Sequence, residues 1–249
     1  MSAPARLSGE DAALTPLDQA KQTLIAAGRV LAAHGQGDMT RGHISVRVPG
    51  DPSLFLMKPH GFGFDEMTMD NIVTCDLEGR KVAGHAGRHS EVFIHSEIYR
   101  ARPDVESVLH AHPAQVVAFT ATGRKLRPIS QPGAVFAEGV PVYTGSIDLV
   151  RTPEMGADVA AALGPCKAVL MRHHGMAIAS RSVQETVVLA LMLDEACTIQ
   201  LLAEAGGARL CEEFPADDVM KLHDKLNRPA QFGINFDYLH RCALRRGAT

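Results

Sequence analysis

The 249-residue sequence has few of the features that mark secreted, membrane or nucleic-acid-binding proteins. Its five cysteines are scattered and lack a Cys-x-x-Cys spacing, which favours reduced thiols over a disulfide framework or a thiolate zinc site. No apolar run is expected to reach the length of a membrane-spanning helix, and no block of lysine and arginine is interleaved with aromatic residues. A net charge of -3 adds no electrostatic reason to expect nucleic acid. We therefore expect neither nucleic-acid nor membrane partners.

The chain shows no boundary between domains. It contains no internal repeat, no low-complexity segment and no linker rich in proline and serine, and its 46% of hydrophobic residues suffice for a full core. Residues 1–14 are alanine-rich but interrupted by charges, so we expect them to be flexible and do not expect a signal peptide. The sequence thus predicts a cytoplasmic protein with a single domain over residues 1–249. Residues 207–249 are expected to form a tail that packs on the core or on a neighbouring subunit.

Local signals predict a mixture of helices and strands. Thr15 followed by Pro16 is typical of a helix start, and Ser182 with Glu185 forms a capping box for a long helix ending near residue 205. Further helices are predicted over 91–100, capped by Ser90, and over 113–121, and further strands over 43–48, 54–57, 72–74, 168–172 and 176–179. Strands and helices mix without a regular strand–helix–strand rhythm, which favours an α/β protein of α+β layers over a doubly wound parallel sheet.

The most informative feature is a pair of histidines at the end of an apolar run. The run from Val105 to Leu109 predicts a buried strand that Pro113 ends. Side chains alternate along a strand, so His110 and His112 point to one face with their Cα atoms roughly 6.6 Å apart. Two imidazoles at this spacing can bind one ion at nitrogen–metal distances of about 2.0–2.1 Å. A third histidine and an open coordination position would make this a catalytic metal site.

Several short motifs follow one another along the chain: Gly42-His43-Ile44-Ser45-Val46-Arg47, Lys58-Pro59-His60-Gly61, Ser90-Glu91, Arg102-Pro103-Asp104 ahead of His110-Ala111-His112, and Arg172-His173-His174-Gly175. In this order they resemble the motifs of the class II aldolase/adducin superfamily. The resemblance implies that His110, His112 and His174 bind a divalent metal and that Glu91 is the catalytic acid/base. At a predicted helix N-terminus, the ionised form of Glu91 is expected to be favoured. Alternation turns His173 away from His174, so His173 is expected to be structural.

The resemblance also implies an architecture. It implies a three-layer α/β/α fold with a mainly antiparallel central sheet, and a homotetramer whose active sites lie between subunits. One divalent metal ion per subunit is expected, with Zn²⁺ or Mn²⁺ first and Fe²⁺ or Co²⁺ as further possibilities. Tyr238 is either a catalytic phenol that reaches a neighbouring subunit or an anchoring aromatic residue.

Three residue pairs depart from the sugar-phosphate aldolases of this superfamily, which hold phosphate with Gly-Asn, Thr-Gly and Ser-Ser. The corresponding pairs here are Gly42-His43, His60-Gly61 and His89-Ser90. Flat imidazole rings would narrow a phosphate pocket, but they can stack on a planar acid or hydrogen-bond to it. Arg47 and Lys58 are expected to add positive charge to the cavity. The predicted substrate contacts are therefore Gly42, Arg47, Lys58, Gly61 and Ser90.

This histidine-substituted version resembles a branch of the superfamily that decarboxylates hydroxylated aromatic or pyridine dicarboxylates. The sequence therefore predicts a metal-dependent decarboxylase in which Glu91, His43, His60 or His89 donates the proton. Two alternatives stay open: a class II aldolase that cleaves a hydroxy acid or a sugar phosphate, and a non-catalytic adducin-like interaction module. The second alternative would expect a broken histidine triad, whereas all three histidines are present.

Overall fold

The computed structural model describes residues 14–205 and 214–247. Within these ranges the helices are α1 (Pro16–Ala33), α2 (Val92–Ala101), α3 (Ala114–Ala121), α4 (Gln131–Ala134), α5 (Pro153–Leu163), α6 (Val183–Ala205), α7 (Ala216–Leu226) and α8 (Pro229–Gly247). The strands are β1 (His43–Val48), β2 (Asp51–Met57), β3 (Val73–Asp76), β4 (Lys81–Ala83), β5 (Ser107–Ala111), β6 (Val142–Tyr143), β7 (Ala168–Met171) and β8 (Gly175–Ser180). Residues 1–13 of the predicted flexible segment and 207–213 and 248–249 of the predicted tail lie outside the described ranges.

The described strands form an eight-stranded sheet in the order β4-β3-β2-β1-β5-β8-β7-β6. Neighbouring strands run antiparallel except β6 and β7, which are parallel, so the prediction of a mainly antiparallel sheet is confirmed. In the middle of the sheet, His43 of β1 pairs with His110 of β5, and His110 pairs in turn with Ala177 of β8. This register places the histidines of two sequence motifs side by side.

Helices cover both faces of the sheet. One hydrophobic cluster includes Leu24 of α1, Leu189 of α6 and Leu109 of β5. A second cluster includes Ile98 of α2 and Val108, the residue next to Leu109 in β5. Because neighbouring residues of a strand point to opposite faces, the two clusters lie on opposite sides of the sheet. The predicted three-layer α/β/α fold is confirmed.

Most of the predicted helix starts agree with the structure, with one correction. The side chain of Thr15 accepts a hydrogen bond from the Asp18 N–H at 3.1 Å, as its prediction as an N-cap requires. The Ser182 hydroxyl likewise accepts from the Glu185 N–H at 3.1 Å. The prediction that Ser90 caps α2 is wrong, because the N-cap residue is Glu91 and it makes no side-chain capping bond. The Glu91 carboxyl is therefore free to turn away from its own helix.

Helix α6 is long and apolar enough to cross a membrane, so the prediction that no apolar run has that length is wrong. Half of its most apolar window is buried inside the protein. Val187 and Leu193 belong to the core cluster that packs on the sheet. A helix that is apolar on most sides is expected where neighbours cover it on several sides. The burial identifies α6 as a core helix.

The segment predicted as a polar tail contains two helices, α7 and α8, which the sequence analysis did not predict. Phe232, Phe236 and Ala243 of α8 are buried in the cluster that holds α1 and α6. The Arg246 side chain donates to the carbonyl oxygen of Ala33 at the end of α1. Tyr238, on the same helix, is 57% exposed. Helix α8 thus presents one face to the core and another to its surroundings.

Candidate metal centre and active site

His110 lies at the end of β5, and its ring nitrogens have distinct surroundings. Nδ1 lies 2.9 Å from the carbonyl oxygen of Met176 on the neighbouring strand β8. A carbonyl oxygen only accepts, so Nδ1 carries the proton and Nε2 presents its lone pair. His112 follows the strand directly before Pro113, and its Nε2 lies 2.9 Å from Nε2 of His110. The two imidazoles therefore converge on one point.

His174 reaches the same point from the turn between β7 and β8. The preceding residue, His173, adopts a φ of 58°, and its N–H donates to the Thr120 hydroxyl at 3.0 Å. The His174 side chain is 8% exposed, and its ring lies parallel to that of His112 at a centroid distance of 5.1 Å. Neither ring nitrogen of His174 has a hydrogen-bond partner among the described residues. Buried polar groups are normally hydrogen-bonded, so an imidazole in this state fits the role of a metal ligand.

Glu91 joins the cluster from the start of α2. Its Oε2 lies 3.9 Å from Nε2 of His110, and its Oε1 lies 3.6 Å from Nε2 of His174. The Val150 N–H donates to Oε1 at 3.0 Å and so fixes the carboxyl group. The ligand atoms of Glu91, His110, His112 and His174 all lie within 4.8 Å of one another. Nitrogen and oxygen donors gathered this closely fit a divalent ion with bonds of about 2.0–2.2 Å.

Burial keeps the three imidazoles in the neutral form that binds metal. Desolvation lowers the pKa of His110 well below its usual value, lowers the pKa of His112, and lowers that of His174 to about 4. Burial also raises the pKa of Glu91, because the carboxylate loses hydration. The prediction that the helix N-terminus favours ionised Glu91 stays a prediction, and burial acts on the pKa in the opposite direction. Desolvation outweighs the hydrogen bond from Val150.

Asp38, in the loop before β1, contacts His112 from the side away from the cluster. Its Oδ2 lies 3.2 Å from Nδ1 of His112, and its Oδ1 accepts from Arg41 at 2.6 Å. The pair is not aligned as a hydrogen bond, but a carboxylate this close to Nδ1 favours a proton there and leaves Nε2 as the ligand nitrogen. We expect Asp38→Asn to weaken metal binding by about 10- to 100-fold, the effect of losing such a partner. Competition with a chromogenic chelator measures this change.

The matched control for Asp38→Asn is Asp224→Asn. Nδ1 of His223 lies 3.2 Å from Oδ1 of Asp224, the same separation as at the metal cluster. This variant removes a carboxylate from a histidine outside the cluster, so the metal affinity is expected to stay unchanged. Equal affinities of the two variants would contradict the role assigned to Asp38.

A cavity of about 470 Å³ opens beside the clustered side chains, a volume that suits a small one-ring ligand. Imidazoles line much of it, from His60, His89, His112, His173 and His174. The Arg41 side chain, 61% exposed, also lines the cavity and adds a positive charge. Ile147 and Leu149 contribute apolar surface, while Ser90 and Glu91 contribute oxygen atoms. The lining thus combines flat rings, one cation and apolar walls.

His43 and His89 lie at the back of this cavity. The His43 side chain is fully buried, and its Nε2 lies 4.0 Å from Oε2 of Glu91. The ring centroid of His89 lies 4.4 Å from that of His43 and 5.2 Å from that of His60. Burial lowers the pKa of His43 well below its usual value and that of His89 to about 3, so both rings are neutral. The structure thus brings His43, His60, His89 and Ser90 together with Glu91.

Arg47 does not reach the cavity, and the structure gives no support to its predicted substrate contact. It shares the polar face of β1 with His43 but lies near the opposite end of the strand. Its guanidinium donates to the carbonyl oxygens of Val105, Pro52 and Tyr99 at 2.7, 2.6 and 2.8 Å. These bonds tie β1 to the segments beside it, so Arg47 stabilises the fold.

Lys58 is buried beneath the cavity, where the structure gives no support to a direct substrate contact. Its Nζ donates to the carbonyl oxygens of Thr40 and Pro59, each at 3.2 Å, and to that of Phe62. Nζ also lies 3.3 Å from Nε2 of His89. Burial lowers the pKa of Lys58 to about 8. Its place behind His89 makes Lys58 a residue that supports the cavity wall.

Gly42 and Gly61 are required by the backbone and do not line the cavity, which gives no support to their predicted substrate contacts. A Cβ atom at Gly42 would lie 2.6 Å from the ring of Phe64. Gly61 has a φ of 83°, a region that residues with a side chain rarely adopt. Both glycines therefore shape the segments that carry His43 and His60.

Sequence reasoning missed several residues of the site. Asp38 and Arg41 lie in a short polar loop whose composition does not distinguish it from other surface loops. His95 lies four residues after Glu91, and this spacing places both on one face of α2, a signal that was available. His173 was predicted to be structural, but its side chain lines the cavity. Its left-handed backbone breaks the strand alternation on which that prediction depended.

Comparison with known proteins agrees with this geometry. Two relatives are 3,4-dihydroxyphthalate decarboxylases: that of Arthrobacter keyseri is 35% identical over 219 residues, covering 82% of this chain and 86% of the relative. That of Terrabacter sp. strain DBF63 is 36% identical over 215 residues, covering 82% of this chain and 89% of the relative. A solved aldolase II superfamily protein from Pseudomonas syringae superposes with a TM-score of 0.82 at 30% identity, over 94% of this chain and 96% of the other. The family described as Class II Aldolase and Adducin N-terminal domain matches residues 22–201, and this chain therefore belongs to the class II aldolase and adducin family.

Proposed function

We propose that this chain is a metal-dependent lyase that decarboxylates a hydroxylated aromatic or pyridine dicarboxylate. The observation that carries the proposal is the convergence of His110, His112, His174 and Glu91 beside a cavity lined with imidazoles. The relatives named 3,4-dihydroxyphthalate decarboxylase support the choice of a planar dicarboxylate. The fully assembled triad speaks against a non-catalytic interaction module.

His110, His112 and His174 would hold one divalent metal ion, with Zn²⁺ or Mn²⁺ expected first and Fe²⁺ or Co²⁺ as further candidates. When bound there, the ion would supply Lewis-acid stabilisation of the negative charge that develops on the substrate as carbon dioxide leaves. The neutral, buried imidazoles offer lone pairs without first losing protons.

Glu91 would deliver the proton that replaces the departing carboxylate. As the bond between ring carbon and carboxylate breaks, the Glu91 carboxyl proton moves to that carbon, and solvent later restores it. Burial raises the pKa of Glu91, which favours the protonated form that this step needs. The Val150 N–H holds one carboxyl oxygen at 3.0 Å, so the group is positioned before the substrate enters.

The walls of the cavity would orient the ring of the substrate. His60 and His89 present two flat faces whose centroids lie 5.2 Å apart, in an edge-to-face arrangement. Ser90 offers a hydroxyl group on the same wall. Arg41 is placed to bind a second carboxylate with its guanidinium, the geometry that suits planar carboxylates. The cavity suits a phosphorylated sugar less well, because imidazoles stand where the sugar-phosphate aldolases of the family carry small hydroxyl and amide groups.

The test uses purified, metal-loaded protein with a panel of hydroxylated benzene and pyridine dicarboxylates, 3,4-dihydroxyphthalate among them, and with a sugar phosphate. We expect release of carbon dioxide without an aldehyde product, and loss of activity on chelation. Aldehyde formation from the sugar phosphate, with no carbon dioxide from the acids, would replace the proposal by an aldolase. Absence of a bound divalent ion would favour the interaction module.

Arg41→Gln is expected to reduce kcat/KM for the dicarboxylate by about 10- to 100-fold, chiefly through KM. A hydrogen bond to a charged group contributes about 1.5–3 kcal/mol, and each 1.4 kcal/mol corresponds to about tenfold. For an analogue that lacks the second carboxylate, the variant and the parent protein should differ little. Arg124→Gln is the control, since Arg124 pairs with Glu204 away from the cavity. Equal losses with both substrates would show that Arg41 acts through Asp38 and not on the substrate.

The family resemblance also leads us to propose a cytoplasmic homotetramer with active sites between subunits. Support comes from α8, which carries the exposed Ile234 and Tyr238 on its outer face, as a helix at a subunit contact would. Light scattering of the purified protein gives the mass of the assembly. A monomeric mass would contradict this proposal.

A further inference from the structure

A buried chain of polar side chains runs from the back of the cavity into the layer beneath the sheet. Nδ1 of His43 lies 2.6 Å from Nε2 of His95, and Nδ1 of His95 lies 2.6 Å from the hydroxyl oxygen of Ser45. That oxygen lies 2.8 Å from the hydroxyl of Tyr99. All four residues are buried, with exposed fractions of 0 to 1%. The hydrogen bonds between these four side chains are therefore shielded from water.

The direction of these hydrogen bonds is set at the inner end of the chain. The Tyr99 hydroxyl donates to the carbonyl oxygen of Glu106 at 3.4 Å. With its proton directed to Glu106, the Tyr99 oxygen acts as the acceptor for the Ser45 hydroxyl. The Ser45 oxygen is then the acceptor for the remaining neighbour, Nδ1 of His95.

The same direction continues to the cavity. A neutral His95 that donates from Nδ1 has a lone pair on Nε2, which accepts the proton of Nδ1 of His43. Nε2 of His43 is left with a lone pair, 4.0 Å from Oε2 of Glu91, and has no hydrogen-bond partner among the described residues. The opposite direction would remove the hydrogen bond from Tyr99 to Glu106, and it would leave a buried, unpaired N–H at Nε2 of His43. Unpaired buried N–H groups are rarer than under-satisfied acceptors.

We propose that His95, Ser45 and Tyr99 hold His43 in the tautomer whose Nε2 lone pair faces Glu91. His43 is thereby a positioning residue whose Nε2 lone pair lies 4.0 Å from Oε2 of Glu91, and it is not the proton donor. The inference rests on the proposed function for the role of Glu91 in turnover. The tautomer itself is a property of the protein without substrate.

The direct test is the protonation of the His43 ring nitrogens. Nitrogen-15 spectra of the full-length, chelator-treated protein labelled in histidine distinguish protonated from unprotonated ring nitrogens, and His43→Asn identifies the signals by their loss. We expect the proton on Nδ1 in the parent protein and a mixture of tautomers in Ser45→Ala. A proton on Nε2 of His43 in the parent protein would overturn the proposal, whatever reaction the enzyme catalyses.

The kinetic test compares Ser45→Ala with Ser96→Ala. Ser96 is also fully buried, follows His95 in α2, and its hydroxyl has no hydrogen-bond partner among the described residues. We expect Ser45→Ala to lower kcat about tenfold with KM and metal content unchanged, the effect of one buried hydrogen bond. Ser96→Ala should keep kcat, and Ser45→Thr, which retains a hydroxyl, should restore it.

A second variant, Tyr99→Phe, distinguishes the proposed effect from a folding defect in Ser45→Ala. Tyr99→Phe preserves the ring and removes only the inner end of the chain, so it should shift the His43 tautomer in the same direction. Parent-like kcat and parent-like tautomer in both Ser45→Ala and Tyr99→Phe would overturn the proposal. If the decarboxylase assignment fails but the nitrogen-15 result holds, the inference about His43 stands without its role in decarboxylation.

Discussion

His174→Ala is expected to lose the bound metal and with it essentially all turnover. Structural zinc sites with four ligands bind with about 10–16 kcal/mol, so one ligand accounts for roughly 3 kcal/mol, or about 100-fold or more in affinity. The substitution should not harm folding, because the His174 ring makes no hydrogen bond among the described residues. Metal content after desalting, measured by elemental analysis, checks the first expectation, and steady-state assays check the second.

The neighbouring histidine supplies the control for metal content. His173→Asn alters the same turn, and asparagine tolerates the φ of 58° that this position requires. We expect this variant to retain one ion per chain. Full metal occupancy of His174→Ala, or equal loss in both variants, would contradict the assignment of His174 as a ligand.

Glu91→Gln is expected to keep the metal and lose turnover by about 10²- to 10⁴-fold, the usual contribution of a positioned acid or base. The three histidines remain as ligands, and the glutamine carbonyl can still accept the Val150 N–H that now holds Oε1 at 3.0 Å. The amide N–H is not acidic enough to transfer a proton to carbon. Parallel measurement of kcat and metal content separates this effect from loss of the ion.

Glu97→Gln is the matched control for Glu91→Gln. Glu97 lies on the same helix, is also buried, and pairs with Arg100 at 3.3 Å. Its neutral variant should retain turnover, because Glu97 does not line the cavity. Parent-like turnover in Glu91→Gln would remove Glu91 from the mechanism and leave the proton transfer to a neighbouring imidazole.

Local patterns predicted α1, α6 and β1 for a physical reason, but they did not predict α5, α7 or α8. The polar–apolar alternation of 43–48 reflects an apolar side of β1 and a polar side on which His43, Ser45 and Arg47 are buried and hydrogen-bonded. Thr15 and Ser182 satisfy N–H groups that every helix start exposes. Strands β4 and β6 were not predicted, because two or three residues carry too little pattern. They form by pairing with β3 and β7.

The C-terminal helices show a further limit of local reasoning. Segment 207–249 is polar enough to resemble a tail, and its contribution to the core depends on three residues of α8: Phe232, Phe236 and Ala243. Their spacing places them on one face of a helix. That face is buried because it packs against α1 and α6, which are distant from α8 in the sequence.

The amino-acid sequence alone pointed to the candidate metal ligands: His110 and His112 share one side of a strand end, and the family resemblance added His174. It also determined the family, through motifs that lie in order along the chain. The tertiary structure decided which other residues surround that centre: it placed Asp38, Arg41 and His95 near it and left Arg47 and Lys58 outside the lining of the cavity. Spacing along one element sets which residues share a face. Distances between elements follow from how helices and strands pack, and no local pattern encodes them.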